Sequence, residues 1–121
     1  MKTKLFVLML MTSWVCFSCA EEESDEFCSN PDAECPDGGP SIDVNACCTD
    51  QSCYWTYNGE DYNCEGTDCS GAYDIIIVNA CAVGALADLK SSDTRFNALK
   101  AELESVTQKL LLEARACAAC N

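Results

Sequence analysis

Residues 53–64 read Cys53-Tyr-Trp-Thr-Tyr57-Asn58-Gly59-Glu60-Asp-Tyr-Asn-Cys64 and predict the most clearly defined element of the chain. Aromatic and β-branched residues flank Asn58 and Gly59, and these two residues tolerate the positive φ angles of a two-residue hairpin turn. The segment therefore predicts an antiparallel β-hairpin. Because side chains alternate along a strand, we expect the face that packs inward to carry Cys53, Trp55, Tyr57, Tyr62 and Cys64.

Cysteine is the most informative residue type in the chain. The 121 residues include 12 cysteines, a proportion typical of small exported domains held together by disulfides. Ten of them follow the N-terminal segment, and an even number permits complete pairing. The candidate disulfide residues are Cys28, Cys35, Cys47, Cys48, Cys53, Cys64, Cys69, Cys81, Cys117 and Cys120.

The first 20 residues predict an export signal. A basic start, Met1-Lys-Thr-Lys4, precedes a segment from Leu5 to Val15 that is apolar except for Thr12 and Ser13. This length suits the core of a signal peptide and is too short for a membrane span. A buried core helix is the alternative interpretation.

Two processing sites compete at the end of this signal. Ser18-Cys19-Ala20 places small residues where signal peptidase cleaves, so that the mature chain would begin at Glu21. Alternatively, Phe17-Ser18-Cys19 resembles a bacterial lipobox, which implies that Cys19 becomes the lipidated first residue. The acidic run at 21–26 then resembles the tether of some bacterial lipoproteins.

The charge distribution excludes several classes of function. The chain has 20 acidic and 7 basic residues, a net charge of −13 and no histidine. Nucleic-acid binding needs clustered Lys and Arg, and nucleophile–histidine pairs or histidine-ligated zinc need histidine. No cofactor is therefore expected. From Glu21 to Leu89 there are 16 acidic residues and no basic one, which predicts a solvated acidic surface or, alternatively, a cation site.

Six cysteines follow the spacing C-x6-C-x11-C-C-x4-C-x10-C between Cys28 and Cys64. This spacing resembles that of the knottin, or inhibitor cystine knot, family. The resemblance implies the bridges Cys28–Cys48, Cys35–Cys53 and Cys47–Cys64. A direct Cys53–Cys64 bridge across the hairpin is the simpler alternative, although its hydrogen-bonded register separates the Cα atoms more widely.

A candidate calcium site lies at the end of the hairpin. Asp61, Asn63 and Glu65 alternate before Gly66, which resembles the start of an EF-hand loop. The position that should be a bidentate glutamate is Ala72, and the preceding segment is a predicted strand instead of a helix. An ordinary acidic turn is the alternative.

The C-terminal part predicts two helices. Ser70 is a candidate N-cap for a helix from 71 to about 90 that is apolar on most sides and should be buried, with a strand at Ile75–Val78 as the alternative. Asp93 is a candidate N-cap for a second helix. Its apolar seam continues toward Cys117 and Cys120, and it favours a helical hairpin over an extended coiled coil. The seam consists of Phe96, Leu99, Leu103, Val106 and Leu110.

Three of the ten cysteines lie in this helical tail, so complete pairing requires at least one bridge between the tail and the preceding region. Cys69 is the natural partner if the knottin pairing uses the other six. Cys117-Ala-Ala-Cys120 has the spacing of a redox motif, but it ends a helix, where the dipole opposes a thiolate. Structural disulfides are favoured over redox catalysis and over a four-cysteine zinc site.

Together these patterns predict a small, disulfide-rich α+β protein. Its parts are a signal peptide (1–20), an acidic tether (21–27), a cysteine-rich hairpin region (28–69) and a helical hairpin (70–121) that disulfides hold to it. We expect an extracellular, non-enzymatic recognition protein, such as a secreted ligand or toxin-like effector, whose partner is an unidentified protein or receptor. The alternatives are a lipid-anchored protein of the bacterial cell envelope and, more remotely, a small enzyme that uses paired carboxylates. No nucleic acid and no membrane span are expected.

Overall fold

The computed structural model describes residues 26–82 and 88–120, without the side chain of Cys120. The predicted signal peptide, the lipidation site at Cys19 and most of the acidic tether lie outside the described residues. The participation of Cys120 in a disulfide also lies outside them.

The described chain is a small α+β fold, as the sequence predicts. An antiparallel sheet precedes two helices, and a short 3-10 turn (Pro36–Gly38) lies between the second and third strands. The elements are β1 (Phe27–Ser29), β2 (Asp32–Glu34), β3 (Ser41–Cys48), β4 (Cys53–Tyr57), β5 (Glu60–Asn63), α1 (Ser70–Cys81) and α2 (Thr94–Cys120). Within these ranges no helix combines the length and hydropathy needed to cross a bilayer.

The long strand β3 organises the sheet. It pairs with β4 along one edge and with both β1 and β2 along the other, and β5 follows β4 at the outer edge. The predicted hairpin is confirmed: Trp55 lies opposite Tyr62, and Asn58 and Gly59 form the turn with φ angles of 52° and 79°. Strand β3, which contains the adjacent pair Cys47 and Cys48, was not predicted from the sequence.

The knottin pairing is wrong, because the strand register brings other cysteines together. Cys28 lies directly opposite Cys47 across β1 and β3, and Cys48 lies directly opposite Cys53 across β3 and β4. Both pairs are bonded, with Cα atoms 4.1 Å apart. Adjacent residues of a strand point to opposite faces of the sheet, so the two bridges lie on opposite faces, and the strand registers place a cysteine opposite Cys47 in β1 and opposite Cys48 in β4.

Two further bridges fix helix α1 at both ends. Cys64 bonds Cys69, the residue that precedes α1, and Cys35 bonds Cys81, its last residue. The expected bridge between the tail and the N-terminal region therefore exists, but Cys35 makes it and not Cys69. A direct Cys53–Cys64 bridge is also wrong, since each of these cysteines bonds elsewhere. Cys117 is disulfide-bonded as well.

The helix starts follow the capping rules with one correction. Asp93 caps α2, accepting a hydrogen bond from the Arg95 N–H at 2.9 Å. At the start of α1, Asp68 and not the predicted Ser70 supplies the side-chain oxygen, which accepts the Ser70 N–H at 3.0 Å. The run at 75–78 is helical, which excludes the alternative strand, and α1 ends at Cys81 instead of continuing to about 90.

The core lies between the sheet and the two helices. Helix α2 packs against α1 and also against β3 and β1, so the seam predicted from its spacing is buried, with Val106 partly so. Leu103 is 1% exposed. The largest fully buried side chains include Trp55, Phe96, Ile76, Ile77, Leu103 and Leu111.

Candidate functional site between strand β5 and helix α1

Helix α1 is apolar on most sides, and one of these sides faces solvent. The side chains of Ile75 and Val78 are 49% and 44% exposed, respectively. They lie three residues apart and therefore share one face of the helix. The expectation that the whole apolar helix is buried is wrong at these two positions. The opposite face, with Ile76 and Ile77, is fully buried in the core.

A groove of about 460 Å³ separates this part of α1 from strand β5. Ligand sites in proteins span about 300–1,000 Å³, so the groove is large enough to hold several side chains of a partner. Its walls come from the strand, from the turn that follows and from the first turns of α1. The lining residues are Asp61, Tyr62, Asn63, Glu65, Asp68, Ser70, Gly71, Ala72 and Ile75.

The groove runs along the free edge of the sheet. In the described part of the chain, β5 pairs only with β4. The hairpin has a two-residue turn, and the Cys64 N–H donates to the Cys53 carbonyl at 3.1 Å. In an antiparallel pair, residues whose backbone N–H and C=O groups bond the neighbouring strand alternate with residues whose groups point away from it. Because the Cys64 backbone hydrogen-bonds to Cys53, the backbone groups of Asp61 and Asn63 point away from β4.

Tyr62 connects the strand to the helix beside the groove. Its ring is partly buried against the core, and its hydroxyl donates to Glu60 Oε2 at 3.1 Å. The Asn79 side chain on α1 is a second hydrogen-bond partner. Partial burial, followed by the hydrogen bond and the charge of Glu60, raises the pKa of Tyr62 above its ordinary value.

Two of the carboxylates in the groove hold local structure. Asp61 Oδ1 accepts a hydrogen bond from Thr56 Oγ1 at 2.7 Å across the hairpin. Asp68 accepts from the backbone and the side chain of Ser70, and these bonds lower the pKa of the Asp68 carboxyl. Glu65 and Asp68 exchange backbone hydrogen bonds around a tight turn in which Gly66 has a φ of 64°. Glycine adopts this left-handed conformation without strain.

The structure brings all three predicted calcium ligands, Asp61, Asn63 and Glu65, to the wall of this groove. In the described residues, the one cluster of three acidic or cysteine ligand atoms within 4.8 Å consists of Glu26, Cys28 and Cys47. The two cysteines of that cluster are bonded to each other. Calcium binding at the hairpin stays a prediction.

The basic residues that make ion pairs do so elsewhere. Arg95 pairs with Asp37 and with Asp93, and Lys100 Nζ lies 2.6 Å from Asp74 Oδ1. None of the residues that line the groove is basic. The groove therefore combines an apolar helix face, an unpaired strand edge and three carboxylates.

Sequence reasoning missed the groove for a physical reason. It grouped Ile75 and Val78 with the core because helix periodicity cannot show which side of a uniformly apolar helix remains uncovered. The hairpin pattern predicted which side chains share a face, but it did not show that, among the described residues, β5 pairs only with β4.

Comparisons of the chain with protein-family models, with curated proteins and with solved structures found no match. The likeness to knottins and to lipoproteins therefore consists of the cysteine spacing, the lipobox residues and the acidic run that follows them.

Proposed function

We propose that this chain is an exported, non-enzymatic recognition protein that acts as a secreted ligand or toxin-like effector toward a protein or receptor. The proposal is based on the exposed apolar face of α1 beside the free edge of β5. Exposed apolar side chains that are grouped on one face are typical of interaction sites. The absence of histidine from the sequence adds support, because it removes the commonest acid–base and nucleophile pairs.

The disulfides support the same proposal, because they hold this face rigid. Cys69 and Cys81 anchor the two ends of α1, one to the end of the hairpin and the other to the loop before β3. A surface that is rigid before binding loses less conformational entropy when a partner docks. Multiple disulfides also indicate an oxidising compartment, in agreement with an extracellular protein.

Cell binding tests the recognition function. Oxidised mature protein, labelled at its N-terminal amine, is titrated onto intact cells from the native environment of the protein. Reduced and alkylated protein serves as the control, because it keeps the sequence and nearly the same charge but loses the fold. Recognition predicts saturable binding of the oxidised form alone. Equal or non-saturable binding of both forms would contradict the proposal.

A lipid-anchored bacterial surface protein with a structural or adhesive role is the second candidate function. The lipobox-like sequence before Cys19 and the acidic run after it favour this candidate. Intact-mass analysis of the natural protein, before and after reduction, separates the two. A free N-terminus at Glu21 indicates secretion, whereas an acylated Cys19 indicates an anchor.

A further inference from the structure

We propose that the groove between β5 and α1 binds an extended segment of a partner protein, rich in basic and apolar residues, which adds to the sheet as a strand beside β5. This inference rests on the proposed recognition function and names its surface and the chemistry of its partner. Strand addition to an exposed sheet edge is a recurrent mode of peptide recognition, in which main-chain hydrogen bonds supply affinity and alternate side chains supply specificity.

The backbone of β5 offers the required hydrogen bonds. The outward N–H and C=O groups of Asp61 and Asn63 lie two residues apart, which is the repeat of an antiparallel or parallel ladder. The hairpin turn and the Cys64–Cys69 bridge fix both ends of the strand. An incoming segment would therefore meet donors and acceptors that are already arranged in an extended conformation.

The helix provides the apolar contact. Ile75 lines the groove, and Val78 continues the exposed face one turn further along α1. In an added strand, alternate side chains point to the same side of the sheet. One set of them would lie against these two residues, so apolar side chains at every second position of the partner fit the groove.

The charge of the groove selects a basic partner. Asp61, Glu65 and Asp68 line it, and Glu60 lies next to them in β5. The sequence has no Lys or Arg between Glu21 and Leu89, and Lys100 of α2, which pairs with Asp74, is the basic residue whose charge acts on Asp68. Anionic membranes, nucleic acids and acidic proteins are repelled by this surface, whereas Lys or Arg side chains beside the apolar positions are attracted.

A second copy of the chain does not suit the edge. Pairing two β5 strands would bring Glu60, Asp61 and Glu65 of one copy close to the same residues of the other along one seam, and in the antiparallel register centred on Asp61 the two Asp61 residues face each other. Like charges that face each other across a strand pair are destabilising. The same charges protect a short exposed edge from self-association.

Hydrogen exchange on the mature, oxidised chain tests the proposal directly. The probe is a short acetylated peptide of alternating lysine and valine, added to isotope-labelled protein and followed by NMR. Strand addition predicts slower exchange of the Asp61 and Asn63 amides. The Tyr62 amide already points toward β4 and should change little.

Two altered peptides separate the contribution of charge from that of the main-chain hydrogen bonds. A glutamate–valine peptide keeps the apolar side chains but reverses the charge. A lysine–valine peptide that is N-methylated at alternate residues keeps charge and side chains but cannot donate the ladder hydrogen bonds. Each should bind at least about tenfold more weakly, which corresponds to the loss of a few main-chain or charged contacts.

A matched pair of variants tests the helix face. Ile75→Ser should weaken the peptide about tenfold, since it removes a half-exposed isoleucine from the contact. Leu112→Ser makes the same kind of change at a residue of α2 that is 68% exposed and does not line the groove. It should leave the affinity unchanged, and thermal melts establish that both variants are folded.

Several results would overturn the inference. If the N-methylated peptide binds as tightly as the unmodified one, or if Ile75→Ser and Leu112→Ser weaken peptide binding equally, strand addition at this groove is contradicted. Protection of other amides in place of those of Asp61 and Asn63 would contradict it as well. Dimerisation through the β5 edge, or preferential binding of the protein to phosphatidylcholine vesicles, would show that the occupant is not a basic peptide. If Ile75→Ser retains the saturable binding to cells, the recognition function holds and the assignment of this groove is wrong. If the wild type does not bind cells either, the proposed recognition function itself is wrong.

Discussion

Tyr73 and Thr107, which are 34 positions apart in the chain, share a buried hydrogen bond with their oxygens 2.5 Å apart. Thr107 also accepts the indole N–H of Trp55 at 3.2 Å and lies 3.4 Å from the Leu103 carbonyl. A threonine hydroxyl has one donor and two acceptor positions, so these three bonds satisfy it completely. One hydroxyl thus joins the hairpin to both helices, and burial raises the pKa of Tyr73 above its ordinary value.

We expect Thr107→Val to destabilise the protein by about 1–3 kcal/mol, because it leaves the indole N–H and the phenol without their partner in the core. Valine has nearly the volume of threonine, so the change tests the hydrogen bonds and not the packing. Denaturant melts measure the difference. Ser105→Ala, at an exposed position of the same helix, is the control, and an equal effect of both substitutions would contradict the role of Thr107.

Leu103→Ala should cost about 2–5 kcal/mol, since it removes a fully buried side chain and leaves a cavity. The matched change Lys109→Ala, on the exposed side of α2, should stay within about 0.5 kcal/mol. Urea melts of the two variants and sedimentation of Leu103→Ala check this prediction. If Leu103→Ala kept its stability and changed self-association instead, the seam would be an interface.

The bridges should differ in their effect on stability. Replacing Cys35 and Cys81 together by serine opens a loop with a sequence separation of 46, whereas replacing Cys64 and Cys69 opens one with a separation of 5. Loop-closure entropy predicts that the first pair costs about 2 kcal/mol more. Thermal melts of the two double variants compare their losses of stability. If the Cys64/Cys69 variant lost more stability, the entropy of the unfolded chain would not account for the difference.

Acid should weaken the start of α2. Side-chain and backbone hydrogen bonds from Arg95 lower the pKa of Asp93 from 3.8 to about 2. A carboxyl whose pKa is lower in the folded state stabilises above the unfolded pKa, and its contribution is lost as the pH falls from about 4 toward 2. Asp93→Asn keeps a capping side chain but removes this titration.

Urea melts at several pH values measure the effect. The difference in unfolding free energy between wild type and Asp93→Asn should shrink as the pH falls through this range. A difference that is constant with pH would contradict the role of the Asp93 charge.

Residues that are close together in the chain were enough to predict the local elements. The Asn58-Gly59 turn has backbone angles that few residue pairs tolerate, so the hairpin and its register followed from the residues. The capping role of Asp93 and the buried seam of α2 followed from the hydrogen-bonding capacity of one side chain and from helical periodicity. These features depend on residues that are close in the chain, which is why a pattern could predict them.

The connections between the elements became clear only from the folded structure. The cysteine spacing allowed several pairings, and the strand that placed Cys28 opposite Cys47 and Cys48 opposite Cys53 was not predicted. Likewise, the apolar sequence of α1 did not show that Ile75 and Val78 face solvent beside β5. Disulfide partners and uncovered faces depend on which distant segments meet in space, and local propensity contains no information about that choice.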